Sequence, residues 1–151
     1  STIGIAGRRA DGLYHLETLW RQSGTGWVVD KAVEVWERKR IPVRVRRDGP
    51  EGSFVPLLLE RGVEVVDVSS ADVAKATGVL RDAVEAEQVR HLGQLSLDKA
   101  VAGAELRLSA NGAAVWSQRD SRVEISPLIA VTVALGGVPQ ELVPDPVSQI
   151  W

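Results

Sequence analysis

Val43-Arg44-Val45-Arg46-Arg47-Asp48-Gly49-Pro50-Glu51-Gly52-Ser53 runs from a β-branched strand into a tight turn. Pro42 starts that strand, and Ser53 is placed to cap a short helix through Leu57, Leu58 and Leu59 that stops at Gly62. Val63 to Val68 then reads as a second strand, and Ser70 as the cap of a longer helix from Ala71 to about Glu87, with Asp72 in its first turn. Strand, helix, strand, helix between residues 43 and 87 is a parallel crossover unit, which sets the class as α/β with a mixed sheet.

On its amino-terminal side, Thr2 to Ala6 alternates like a strand, and Arg8 to Gly12 forms a turn. Tyr14, Leu16, Thr18 and Trp20 alternate with His15, Glu17 and Leu19, so the two runs form an antiparallel hairpin closed near Asp11-Gly12. Gly24 to Gly26 breaks the pattern. Trp27 to Arg40 then sets Val29, Ala32, Val33 and Trp36 at helical spacing, and its basic end, Arg38, Lys39 and Arg40, complements the helix dipole.

Beyond residue 87, His91 falls in the connector Arg90 to Gly93, and Leu97, Val101 and Ala104 mark a helix over Leu95 to Ala104. Asn111-Gly112 supplies the positive φ angles of a two-residue turn and predicts an extra hairpin near residues 106–118. Val123 to Ser126 leads into Pro127 and an apolar helix that ends at Gly136-Gly137. Residues 1–137 are expected to form one domain, and residues 138–151, with Pro139, Pro144 and Pro146, an extended tail.

Composition narrows the chemistry. At 151 residues and 44% hydrophobic, the chain can bury a sizeable core as one domain. It has no Cys, which excludes disulfides and thiol catalysis and leaves His15 and His91 as the nitrogen ligands. No apolar run approaches membrane-spanning length, and no membrane partner is expected. The net charge of −2 hides an asymmetry: residues 1–50 hold ten Lys or Arg against six acids, and residues 51–151 hold eight against fourteen. A basic segment beside an acidic one suits a polyanion held next to a carboxylate cluster, and equally two solvated faces.

There is no Walker-type loop, no glycine-rich dinucleotide fingerprint, no G-x-S-x-G elbow and no His-Glu-x-x-His. What remains is carboxylates at element ends: Asp48 after a strand, Glu124 ahead of the last helix, and Asp67 within a strand. An acid at a strand's carboxyl end beside glycines is the arrangement metal-dependent phosphoryl chemistry uses, and it is also ordinary turn chemistry. Of the five Trp, Trp20 and Trp36 lie on apolar phases, whereas Trp116 and Trp151 are the candidates for exposed contacts.

Five segments in order carry a resemblance: Ile5-Ala6-Gly7-Arg8-Arg9-Ala10-Asp11-Gly12 with Tyr14-His15; Gly24-Thr25-Gly26-Trp27-Val28-Val29-Asp30; Gly49-Pro50-Glu51-Gly52-Ser53; Arg90-His91-Leu92-Gly93; and Val123-Glu124-Ile125-Ser126-Pro127-Leu128. With them the chain resembles the C-terminal nuclease domain of the large terminase subunit of tailed phages, especially those of actinobacteria. The resemblance implies an RNase H-like mixed sheet flanked by helices. It also implies an endonuclease that uses two Mg²⁺ or Mn²⁺ ions to cut concatemeric double-stranded DNA in the host cytoplasm. Its partners would be the terminase ATPase domain, the small terminase subunit and the portal.

Carried over residue by residue, the resemblance makes Asp48 and Glu124 the catalytic metal ligands. Arg8, Arg9, Arg38, Lys39 and Arg40 become possible phosphate contacts. It further implies a strand with another metal-binding Asp ahead of Thr2. The family pattern has Asp where this chain has Arg46, with Asp48 two residues later, and Asp where it has Glu124. Two readings follow: an active metal-dependent nuclease, or a nuclease-fold fragment without catalysis that docks DNA or packaging proteins. Another RNase H-like nuclease, such as a resolvase or transposase, would share the chemistry without the segment matches.

Overall fold

The computed structural model describes residues 1–139; the expected tail beyond Pro139, with Trp151, lies outside the described residues. Strands β1 (Thr2–Arg8) and β2 (Tyr14–Arg21) form the expected antiparallel hairpin. Along β2, Tyr14, Leu16 and Thr18 are buried and their neighbours are not, which is the alternation read from the sequence. A third strand, β5 (Val89–His91), adds in parallel on the other side of β2, with Tyr14 opposite Val89 and Leu16 opposite His91. His91 therefore ends a strand and does not sit in a connector. Three residues without alternation are too few for periodicity to reveal.

The crossover unit is present. Strand β3 (Val43–Val45) lies parallel to β4 (Val65–Asp67), and helix α2 (Val55–Glu60) joins them. Ser53 does not cap α2. It sits inside a 3₁₀ turn over Pro50–Phe54, where its hydroxyl donates to Pro50 O at 3.0 Å. Helix α3 (Ser70–Glu85) is capped one residue earlier than expected, by Ser69. Ser69 Oγ accepts from the Asp72 N–H, and the Asp72 carboxylate accepts from the Ser69 N–H at 3.0 Å, a reciprocal box that shifts the start of the helix.

Helices α1 (Val28–Lys39) and α4 (Leu95–Gly103) follow the expected spans to within two residues. The extra hairpin is formed by β6 (Glu105–Leu108) and β7 (Ala114–Ser117), but its turn is not the two-residue type. Gly112 N donates to Ser109 O and Ser109 N to Ala113 O, with Gly112 alone at positive φ (77°). This is a three-residue loop, a type I turn closed by a left-handed glycine. The first hairpin turns the same way through Arg9, Gly12 and Leu13, with Gly12 at 83°.

Helix α5 (Ser126–Leu135) organises the core. It is apolar around most of its circumference, the pattern of a helix buried on all sides, and it touches β1, β2, β3, α3 and α4. It crosses β1 at Gly4, where a Cβ would come within 2.9 Å of Ala130 C and Val131 N. One cluster, including Tyr14, Leu16, Leu80, Leu97, Leu128 and Val131, surrounds α5. A second, Ala32, Val33, Val45, Val55, Leu58 and Val63, lies between α1, α2 and β3. The expected mixed sheet is the three-stranded one, antiparallel between β1 and β2 and parallel between β2 and β5; among the described residues β3-β4 and β6-β7 form separate two-stranded ladders. Among the same residues, no helix is long and apolar enough to cross a membrane.

Candidate functional site

The parallel pair β3-β4 directs its carboxyl ends toward the Gly-Pro turn, since Val45 stands opposite Asp67. Immediately after β3 come Arg46, Arg47 and Asp48, so three charged side chains and Asp67 gather where open α/β sheets place ligands. Their pairing is already arranged. Arg47 Nε donates to Asp67 Oδ2 at 2.8 Å, and Arg46 Nε donates to Glu51 Oε1 at 3.1 Å, reinforced by a second contact from Arg46 Nη2. Glu51 Oε2 is buried without a hydrogen-bond partner. Asp48 is exposed at the start of the turn.

Glu124 lies ahead of α5. Its Oε2 accepts from Arg21 Nε at 3.1 Å and Nη2 at 2.9 Å, and its Oε1 accepts from the Ser126 N–H at 2.8 Å. Burial pulls its carboxyl upward, but the Ser126 and Arg21 hydrogen bonds outweigh this and leave it below the ordinary glutamate value. Both oxygens therefore serve to cap α5 and tie it to β2. Among the described residues, no group of three or more His, Asp or Glu is placed to hold a metal ion. The donor set that a two-ion Mg²⁺ or Mn²⁺ centre requires is incomplete among these residues: Arg46, paired with Glu51, brings a guanidinium where the resemblance implies a carboxylate, and Glu124 is held by Arg21 in an exposed pair.

The five cations expected at phosphates fall into two places. Arg8 packs over the Tyr14 ring at 4.4 Å and donates to Gly12 O, Tyr14 Oη and Pro139 O, so it braces the first hairpin. Arg9 forms an exposed pair with Asp11 at 3.3 Å. At the end of α1, Arg38 pairs with Glu34 at 3.1 Å, Lys39 is exposed, and Arg40 takes a left-handed cap conformation with its guanidinium 5.3 Å from the Trp36 ring. Exposed pairs hold their partners weakly, so Arg9, Arg38 and Lys39 remain open to a polyanion.

Sequence reasoning missed Arg21 and Glu51, the partners that decide what Glu124 and Arg46 can do. Arg21 is 103 residues from Glu124, and no local pattern marks such a pair. Glu51 sat in the quoted turn, and its charge opposite Arg46 was the available signal. Trp116 was expected among exposed contacts. It is instead half-buried against the α5 cluster, with Nε1 donating to Thr132 Oγ1 at 3.0 Å.

No protein-family model matches this chain, and no curated protein matches it significantly. A search of solved structures finds the large terminase of bacteriophage HK97, with a TM-score of 0.67 at 14% sequence identity. The alignment covers 90% of this chain and 39% of the terminase, so the chain spans well under half the length of that protein. At this identity the likeness is one of fold: nearly all of this chain is folded like part of a phage large terminase.

Proposed function

We propose that the chain is the nuclease-type region of a phage large terminase and acts on concatemeric double-stranded DNA during genome packaging. The observation that carries this reading is the extent of the fold likeness, 90% of the chain against part of one such protein. The ordered sequence segments from Ile5 to Leu128 support it independently. The expected setting is the host cytoplasm. The expected partners are the ATPase domain that drives translocation, the small subunit and the portal.

Within that role we assign this chain the docking of DNA and packaging partners, without a complete cutting centre of its own. Glu124 caps α5, and Arg46 with Glu51 fills the turn where the family pattern puts a ligand. Phosphate contact falls to Arg9, Arg38 and Lys39, three of the exposed cations of the basic first third. A second reading, two-ion endonuclease chemistry in the complete protein, draws on Asp67, the last residue of β4, and on Asp48 in the turn that follows β3. In that reading Asp48, exposed at the start of the turn, and Asp67 would help to hold the ions, which would supply an activated water.

Two measurements separate these readings. Fluorescence anisotropy with a labelled duplex is expected to show binding that weakens as salt rises, and weakens further in an Arg38→Ala/Lys39→Ala variant. Plasmid incubated with the chain and Mg²⁺ or Mn²⁺ is expected to stay supercoiled. Nicking that disappears in Asp48→Ala would overturn the docking assignment in favour of catalysis, and the absence of any duplex binding would remove the DNA role altogether.

A further inference from the structure

Strand β6 is an uncovered sheet edge with a self-complementary sequence. All four of its residues, Glu105-Leu106-Arg107-Leu108, are exposed, Leu108 to 72%, although the strand is fully paired on its other side with β7. Its ladder is two strands wide, so nothing among the described residues pairs with its outer side. Folded proteins normally protect such an edge with charge, brevity or a cover. Here the edge is short, but it carries two exposed leucines.

Backbone phase limits what can add to it. Ser109 N donates to Ala113 O, and the register sets Arg107 opposite Val115 and Glu105 opposite Ser117. Hydrogen-bonded pairs alternate along an antiparallel ladder, so residues 105, 107 and 109 direct their backbone groups toward β7. Leu106 and Leu108 direct theirs outward. An incoming antiparallel strand must therefore bond to residues 106 and 108.

We propose that this edge pairs with the same edge of a second copy of the chain, antiparallel about a two-fold axis through Leu106. Four two-fold registers centred within the strand keep the backbone phase, and centring on Glu105 sets two carboxylates face to face. Centring on Arg107 sets two guanidiniums face to face, and centring on Leu108 leaves Glu105 without a partner. Centring on Leu106 sets Glu105 opposite Arg107 of the second copy twice over, in the closer, non-hydrogen-bonded positions where side chains meet best. Charge complementarity selects this register. Glu105 is available for it, because its present contact is an exposed one, 3.6 Å to Arg122 Nε.

Side-chain packing agrees with the charges. Leu106 stands opposite Trp116 in the hairpin, so joining two hairpins continues one apolar row across four strands: Trp116, Leu106, and their two-fold mates. Glu105 and Arg107 share the other face. The result is a four-stranded sheet that removes both β6 edges together.

Sedimentation equilibrium of the full chain over a concentration series tests this. The expected result is a reversible dimer. Glu105→Arg and Arg107→Glu are each expected to weaken it by about tenfold to a hundredfold, since each turns two attractive pairs into two repulsive ones. The double exchange Glu105→Arg/Arg107→Glu is expected to restore it. Because the chain has no Cys, Leu106→Cys gives a second readout. Its two copies would stand about 5.5 Å apart at Cα, within disulfide reach, and oxidation should yield a covalent dimer. Leu108→Cys should not, because its copies are offset by about 13 Å along the strand. The proposal is overturned by a chain that stays monomeric at all concentrations, as it would if a foreign strand were the natural occupant. Association indifferent to the single exchanges, or not rescued by the double one, also overturns it.

Discussion

Arg46 holds Glu51 across the Gly-Pro turn: its Nε and Nη2 both donate to Glu51 Oε1, leaving Oε2 buried and without a hydrogen-bond partner. The pair closes the loop between the end of β3 and the 3₁₀ turn and brings a cation to the position where a metal ligand is implied by resemblance. Glu51→Ala is expected to destabilise the fold by about 1 kcal/mol, because both side chains are partly exposed and the remaining guanidinium can reach water. Thermal unfolding of the variant beside the parent checks the value. An unchanged midpoint would mean that the pair contributes nothing to closing the turn.

Gly52 in the same turn is required by space. A Cβ there would stand 2.0 Å from Arg47 O and 2.9 Å from Arg47 C, both backbone atoms that cannot swing aside. Gly52→Ala is therefore expected to cost about 2 kcal/mol or more through displacement of the turn. Gly7→Ala, where the added atom meets nothing within 4 Å, should cost far less. Denaturant midpoints of the two variants make the comparison.

Gln94 completes the ladder beyond β5 with its side chain. Its Oε1 accepts from Thr18 N and its Nε2 donates to Thr18 O, both at 2.7 Å, as a fourth strand residue would. Thr18 is 6% exposed, so losing these partners leaves its backbone groups unsatisfied. Gln94→Ala is expected to destabilise by about 1–3 kcal/mol. Gln94→Glu should be at least as harmful, since it sets a carboxylate oxygen against the Thr18 carbonyl. Amide hydrogen exchange at Thr18 should quicken in both variants, and protection that persists would contradict this role.

Acid sensitivity follows from three carboxyls held below their ordinary values. The Lys31 hydrogen bond lowers Glu34, the Ser69 backbone and hydroxyl lower Asp72, and Glu124 is lowered as described. Each binds its proton less tightly folded than unfolded, so each contributes stability that is complete above the ordinary carboxyl range. That contribution is lost as the pH falls through the folded values. The unfolding midpoint is expected to decline on acidification below about pH 4, and Glu124→Gln should make the decline shallower. Identical profiles for parent and variant would show that Glu124 has no share in it.

Most of the local elements are legible in the sequence, because they carry a periodic or punctuating signal within a few residues. The β1-β2 hairpin, the crossover from Val43 to Glu85 and the apolar helix after Pro127 were legible for that reason. The charged turn after β3 was legible as a turn, with Gly49-Pro50 opening its 3₁₀ segment. Only the tertiary structure decided which charges neutralise one another. Arg21 reaches Glu124 across 103 residues, Trp116 turns inward to Thr132 on α5, and Gln94 stands in for a strand residue beside Thr18. Those pairings depend on how layers stack over α5, and short-range spacing along the chain has no knowledge of that. The same physics explains the missed strand at Val89–His91, which exists only because β2 offers an edge to pair with.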